Sequence, residues 1–322
     1  MVFIILALVT MGLAYYLFRP VSNIPKPAAF ACVAIKDGKF IPKADLPPAQ
    51  HIYGMGLTYS QHLKETATEF DADVPPPIFK KKLHSVTSNQ SKVKLPTRAQ
   101  LIAATKELEN QVADKLNKGF ENLSPMLDYE VELGFVLLES INASDLEKEG
   151  FVPKLGFFIA NDLSARSLAL LGEGTNIKHD YWGISKSFPG FLPLSDKIWI
   201  PNTPKSNSIP CIKIETYVNG QVRQSQTTNN MIYTPLEMLR FIHKKYPNTP
   251  LQKGDLVLTG TPGGVAIATP RALVRLSNLI GMSRYGKLSK KLGGDLSKFL
   301  QKGDKVEIRG EGFESVQVEI VE

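Results

Sequence analysis

Cysteine is nearly absent: the 322 residues contain only Cys32 and Cys211. Two cysteines have neither the count nor the spacing of a zinc site and cannot build a disulfide framework, so free thiols in a reducing compartment are the expectation. Internal repeats and low-complexity tracts are also missing, which leaves no sign of a repeat architecture. Disorder is excluded by composition, with 43% hydrophobic and 21% charged residues. Net charge is scarce over most of the chain. The net charge is +7, and between Pro270 and Lys302 eight Lys or Arg stand against one acid, Asp295. That stretch alone accounts for the excess, and the remainder is near neutral. A basic cluster can mark a nucleic-acid partner, but no stacking-aromatic or recognition-helix pattern accompanies this one, so nucleic acid is excluded as a partner.

What is present begins with an apolar N-terminus. Val2 to Phe18 reads VFIILALVTMGLAYYLF, without a charge. Its length approaches the minimum of about 17 residues for a bilayer span, and no small-residue cleavage site follows it. Residues 1–19 are therefore expected to be a single-pass membrane anchor. Tyr15 and Tyr16 suit the headgroup level, and Arg19, Lys26, Lys36 and Lys39 after the helix favour a cytoplasmic body.

Residues 20–50 read as a linker with one strand, AFACVAI, and residues 51–322 as the main domain. Helical patterns run from Tyr59 to about Phe70, from about Arg98 to Leu116, and from Pro235 to Lys244. From Tyr129 onward short apolar or alternating runs recur, including YEVELGFVLL, FFIAND, KIWIP, DLVLTG and KVEIRG. Turn signals such as Asn219-Gly220 and Gly303-Asp304 separate many of them. The fold class is α+β, mainly β: a roll or sandwich of mixed strands with few helices.

Within DYEVELGFVL, Glu130 and Glu132 lie two apart in a strand pattern, so both carboxylates face one side while Val131 and Leu133 face the apolar interior. Adjacent like charges on one face repel unless a cation or water separates them, and a hard divalent ion with oxygen ligands answers that need. Asp162 ends the next apolar strand, in FFIANDLSAR, where a third carboxylate would meet the pair. A solvated strand face is the alternative for a lone Glu-x-Glu.

Seven segments now become informative together: YGMGLTYSQHLKE, PPIFKK, DYEVELGFVL, IANDLSARSL, SKSFPGFLPL, VNGQVRQSQTTNNMIYTPLEML and LQKGDLVLTGTPGGV. In this order the chain resembles the fumarylacetoacetate hydrolase family from about Ile52 to Gly264, and again in its final strands. The resemblance implies a β-roll catalytic core, a homodimer, and Mg, Mn or Ca held by Glu130, Glu132 and Asp162. It implies action on 2-keto or 1,3-diketo acids such as acylpyruvates, with the metal acting as a Lewis acid on the chelated oxygens. His62 and Glu65 match the family's His-x-x-Glu, whose spacing of three places base and supporting carboxylate on one helix face. Lys186 matches a lysine contributing positive charge near the bound acid. Arg166 would pair with a substrate carboxylate or, preferably, brace Asp162. Gly260 and Thr261 form a turn expected to line the substrate pocket.

Two departures stand out. Leu57 and Thr58 occupy positions where the family usually has Arg and Asn, and Ser167 and Ala169 replace its Asp and Gln. These losses lead to the expectation of a less polar or larger substrate than a short keto diacid. Second, a basic insertion at about 268–302 replaces a short turn. Its apolar residues recur between cations, a pattern of amphipathic helices broken at Gly281, Gly286 and Gly293-Gly294. Beside an anchor this suggests contact with anionic lipid; a solvated lid over the pocket is the alternative. The activity expected is metal-dependent hydrolysis or lysis of a carbon-carbon bond in a keto acid. Isomerase, tautomerase or hydratase chemistry is the alternative, and a catalytically inactive membrane-bound binding protein a further one.

Overall fold

Two β-sheets and the helices around them follow the alternation just read. The computed structural model describes residues 2–20, 23–65, 70–71, 74–267 and 270–322, and the side chains of residues 2–9, 271 and 278 lie outside the description. The larger sheet contains β1 (Gly38–Pro42), β2 (Ile52–Met55), β3 (Ile78–Lys81), β5 (Val131–Leu137), β6 (Leu155–Asn161), β7 (Lys197–Pro201) and β10 (Leu256–Leu258). Its spatial order is β1-β7-β6-β5-β10-β2-β3. Residues 20–50 thus do more than link, because they supply the edge strand β1. The smaller sheet holds β4 (Ser91–Lys94), β8 (Lys213–Val218), β9 (Gln221–Thr227), β11 (Lys305–Gly310) and β12 (Val316–Val321), ordered β9-β8-β11-β12-β4.

The sheets meet where Val131 and Ile159 of the larger one pack on Ile212, Ile214, Ile308 and Val316. Alternation sends Leu133, Phe135 and Leu137 to the face covered by α7 (Pro235–Lys245), through its Met238, Leu239 and Ile242. Thr234 caps α7, accepting from the amide of Glu237, with Pro235 at its first position. The fold is α+β and mainly β, as expected. The helix pattern from Arg98 divides into α3 (Arg98–Lys106) and α4 (Asn110–Gly119). The helix expected from Tyr59 to Phe70 is α2 (Ser60–Glu65); residues 66–69 lie outside the described residues.

The membrane anchor expected at residues 1–19 is overturned. The N-terminal helix α1 spans Val2–Phe18, 17 residues; at about 1.5 Å per residue it is shorter than a hydrocarbon core of about 30 Å. No helix among the described residues is long and apolar enough to cross a membrane. Instead α1 packs on α8 (Arg271–Leu279) of the basic insertion. There the buried Arg275 donates through Nη1 to the carbonyls of Tyr16 (3.1 Å) and Leu17 (3.3 Å), in the last turn of α1 where carbonyls lack an intrahelical donor, and to that of Arg19 just past the helix.

The expectation of free thiols is also corrected. Cys32 and Cys211 form a disulfide with Cα atoms 5.1 Å apart. The parallel pairing of Ala31–Cys32 with Ser208–Ile209 sets the two cysteines side by side. A sequence separation of 179 residues hid this proximity.

Candidate metal centre and substrate cavity

Strand register assembles the acids. β5 and β6 run antiparallel with Val131 opposite Asn161 and Glu132 opposite Ala160. Glu130 and Asp162 therefore stand at the same end of the pair, and the Asp162 amide donates to the Glu130 carbonyl at 2.8 Å. One oxygen from each of Glu130, Glu132 and Asp162 lies within 4.8 Å of the other two, and all three residues are buried.

Three buried anions at this separation need compensation. Part of it comes from the chain. Lys186 Nζ donates to Glu130 Oε2 and to Asp162 Oδ2, both at 2.7 Å. Lys81 Nζ donates to Asp162 Oδ1 and, at 3.2 Å, to the Phe191 carbonyl. Arg166 donates through Nη2 to Glu130 Oε1 and through Nε to Asp128 Oδ2 at 2.8 Å. Burial pushes the Glu130 carboxyl up, but the Lys186 ammonium and Arg166 guanidinium outweigh it and hold the group well below the usual carboxylate range.

Glu132 is different. Among the described residues it makes no ion pair; its hydrogen bond comes from the Gly260 amide, 2.7 Å from Oε2. Burial, followed by the charges of Asp162 and Glu130, pushes its carboxyl well above the usual range. The fully buried Tyr59 hydroxyl has no hydrogen-bond partner among the described residues, and burial together with the Glu132 charge raises its pKa. A hard divalent cation fits this arrangement, because the donors are all oxygens and the uncompensated Glu132 charge is the one such an ion would relieve.

The acid–base pair lies beside the acids. On α2, His62 Nδ1 is 3.8 Å from Glu65 Oε2, and the Gly264 amide donates to the same oxygen at 3.0 Å. The imidazole, against the opposing push of burial and with help from that amide, holds the Glu65 carboxyl below its ordinary value. His62, Glu65, Glu130, Arg166, Lys186 and Thr261 all line one cavity of about 630 Å³. Two of the departures, Leu57 and Ala169, line it as well.

Several expected placements are refined. Arg166, at the start of α5 (Arg166–Gly172), does not brace Asp162; it bridges Asp128 and Glu130. Gly260 sends its amide to a metal-ligand candidate, not into the pocket. The Thr261 hydroxyl donates to the Val131 carbonyl at 3.0 Å and accepts from Gln224 Nε2 at 2.9 Å. Lys186, expected in a loop, directly follows α6 (Lys178–Ser185), whose end aims its ammonium at the acids. Sequence reasoning missed Lys81, Asp128 and Gln224. Lys81 had a legible signal, since it lies two residues after Phe79 in an apolar strand and so shares its face. Gln224 had none, because β9 is polar apart from Val222 and shows no alternation that singles it out.

In the basic insertion α8 and α9 (Arg284–Leu292) line one side of the cavity, with Leu288 and Leu292 in the core. Arg284 reaches Glu109 with both terminal nitrogens, at 2.6 and 3.0 Å. Residues 268–269, at the start of the expected insertion, lie outside the described residues.

Residues 51–321 match the family model for the fumarylacetoacetate (FAA) hydrolase C-terminal domain. The chain belongs to the fumarylacetoacetate hydrolase family. It is 28% identical over 253 residues to oxaloacetate tautomerase YisK of Bacillus subtilis, covering 76% of this chain and 70% of YisK. Oxaloacetate decarboxylase, mitochondrial, of Dictyostelium discoideum is 27% identical over 224 residues, 70% of this chain and 86% of that one. Oxaloacetate tautomerase FMP41, mitochondrial, of Saccharomyces cerevisiae is 28% identical over 236 residues, with shares of 70% and 85%. Among solved structures, a putative HpcE protein from Mycobacterium smegmatis superposes with TM-score 0.55 at 21% identity over 85% of this chain and 75% of its own. That likeness shows the family fold. The expected localisation, a single-pass membrane protein with a cytoplasmic body, is withdrawn: the described residues hold no spanning helix, and two of these relatives are named as mitochondrial.

Proposed function

We propose that this family member is a divalent-metal-dependent enzyme that moves a proton at the carbon beside the carbonyl of a 2-keto or 1,3-diketo acid. The observation that carries the reading is the buried cluster of Glu130, Glu132 and Asp162, whose Glu130 lines the same cavity as His62 and Glu65. Glu130, Glu132 and Asp162 would hold Mg²⁺, Mn²⁺ or Ca²⁺. Bound there, such an ion supplies Lewis acidity to the keto and carboxylate oxygens of a chelating substrate.

The chain's own groups do the rest. His62 is the candidate base, and Glu65, fixed by the Gly264 amide, orients its ring. Lys186 holds Glu130 and Asp162 in place and keeps positive charge beside the reacting end. Arg166 acts as a positioning residue through Glu130. Thr261, fixed between Val131 and Gln224, presents a rigid cavity wall. The enzymes named above are oxaloacetate tautomerases and a decarboxylase. Both chemistries pass through proton movement next to a carbonyl, which favours tautomerisation or decarboxylation over carbon-carbon hydrolysis for this chain. The test is a screen of 2-keto and 1,3-diketo acids with Mg²⁺ or Mn²⁺, comparing wild type with Glu130→Ala and His62→Ala. Metal-dependent turnover lost in both variants supports the reading, whereas turnover that survives both overturns it.

A further inference from the structure

Gly54 of β2 and Gly56 just past its end are two residues apart in extended chain, so they share a face of the sheet. The Gly56 amide still continues the ladder, donating to the Pro77 carbonyl at 2.9 Å. Two aromatic rings occupy the room these glycines leave. Phe79 of β3 stands opposite Gly54, and an added Cβ there would come within 2.2 Å of its ring. A Cβ on Gly56 would come within 2.5 Å of the ring of Trp182, on α6. The two rings meet edge to face, with centroids 6.2 Å apart and planes at 72°. Trp182 also meets His179, centroids 5.8 Å apart. Backbone under both rings, and each ring against its neighbours, fix them as a rigid corner.

This corner belongs to the cavity, which Phe79 and Trp182 line together with Leu57 and Ala169. It adjoins the reacting end. Lys186 Nζ, which reaches Glu130 and Asp162 at 2.7 Å, is 5.6 Å from the centroid of the Phe79 ring. Lys178, over the Trp182 ring at 5.4 Å, is engaged by Glu173 at 3.0 Å. Leu57 holds a backbone φ of +59°, uncommon for a residue of its kind. Outliers of this sort persist where the surroundings fix them, and they cluster at functional sites. At Leu57 and Ala169 the family resemblance implied Arg and Gln. Apolar side chains beside two rings thus stand where polar groups for a short keto diacid were expected. Aromatic rings in such a corner favour another ring, edge to face or offset, over an aliphatic chain of the same area.

We propose that Phe79, Trp182 and Leu57 form an aromatic subsite next to the reacting end, which selects 2-keto acids carrying a flat ring on the enolisable carbon, arylpyruvates as a class. This rests on the reading of the reacting end given above. The test follows deuterium uptake beside the carbonyl, catalysed by the full chain with Mg²⁺, for phenylpyruvate, 3-cyclohexylpyruvate and 2-oxobutanoate. In wild type the KM for phenylpyruvate is expected to lie at least about tenfold below that for 2-oxobutanoate and about threefold below that for cyclohexylpyruvate, because ring pairing adds to the burial of apolar area. Trp182→Leu should bring the phenylpyruvate and 2-oxobutanoate values to within about twofold of each other. Leu57→Asn removes the apolar contact and places a residue that tolerates positive φ better, so it should narrow the same ratio without lowering the melting temperature. Equal KM values in wild type for phenylpyruvate and either comparison acid overturn the proposal, and so does a wild-type ratio in Leu57→Asn.

If none of the three acids exchanges above the buffer rate, the reading of the reacting end fails, and the aromatic subsite is read separately by calorimetry. 3-Phenylpropanoate should then bind wild type at least about tenfold more tightly than butanoate does, and Leu57→Asn should bring the two to within about twofold. Equal binding of the two acids by wild type overturns the subsite.

Discussion

Lys186 Nζ stands 2.7 Å from Glu130 Oε2, at the centre of a buried group of acids, and the same nitrogen reaches Asp162. One ammonium thus compensates two ligand candidates and leaves Glu132 without an ion pair among the described residues. Lys186→Met would leave Glu130 and Asp162 short of a cation. Removing one partner of a buried ion pair costs about 3–5 kcal/mol, so the metal-free variant should melt well below wild type. Saturating Mg²⁺ or Mn²⁺ should restore more stability to the variant than to wild type, since ligand binding to the native state is stabilising. Melting curves with and without the ion check this, and equal gains for both proteins would count against a metal at these acids.

The His62 and Glu65 pair predicts a graded loss. His62→Ala removes the candidate base and should lower kcat by about 10²–10⁴-fold. Glu65→Gln keeps the ring but weakens its orientation, and should lower kcat less, with KM little changed. Steady-state kinetics on the best substrate of the screen distinguish the two. An equal loss of stability in place of the kcat effect would point to a packing role.

Gly260 holds a backbone φ of +91°, and an added Cβ would come within 2.3 Å of Thr58 Oγ1 and 2.9 Å of the Met55 carbonyl. Gly260→Ala should therefore shift the turn and draw its amide away from Glu132. The expected cost is about 1–3 kcal/mol in stability, with metal affinity reduced as well. Calorimetric titration with Mn²⁺ reads the second effect.

His179 gives a pH signature away from the metal site. Burial, then the charges of Lys245 and Lys178, lower its pKa from 6.5 to about 4. The unfolded chain takes up this proton at a higher pH than the folded one. The associated stability is fully present above pH 6.5 and is lost as pH falls from 6.5 toward about 4. His179→Gln should flatten the decline in melting temperature across that window. A decline as steep as wild type's would show that other groups set it.

The disulfide predicts a stability change without a matching change in chemistry. Its cysteines are 179 residues apart, and removal of such a crosslink costs about 2–5 kcal/mol. Cys32→Ala should lower the melting temperature while leaving the kinetics of the metal site unchanged. Treatment with reductant should move wild type toward the variant and leave the variant unaffected.

The strands and the carboxylate triad were legible because period-two alternation fixes the faces of Glu130, Val131 and Glu132 without tertiary information. The His62 and Glu65 pair was legible by helix spacing. Lys81 was half legible, its face given by Phe79 but its partner Asp162 set by sheet order. The Arg166 bridge to Asp128 and the Cys32–Cys211 bond depend on long-range register, which local pattern does not encode. The N-terminus misled for a physical reason: an uncharged apolar run reads alike as a bilayer span and as a helix docked on protein, and the Arg275 contacts that distinguish them lie more than 250 residues away.

The most direct test is uptake of solvent deuterium at the carbon beside the carbonyl of oxaloacetate or an acylpyruvate, followed by NMR. With Mg²⁺, wild type should exchange far faster than buffer. Chelation of the metal or Glu132→Gln should remove that rate, and His62→Ala should lower it by about 10²–10⁴-fold. Exchange that persists at the wild-type rate without metal and in both variants would contradict the account.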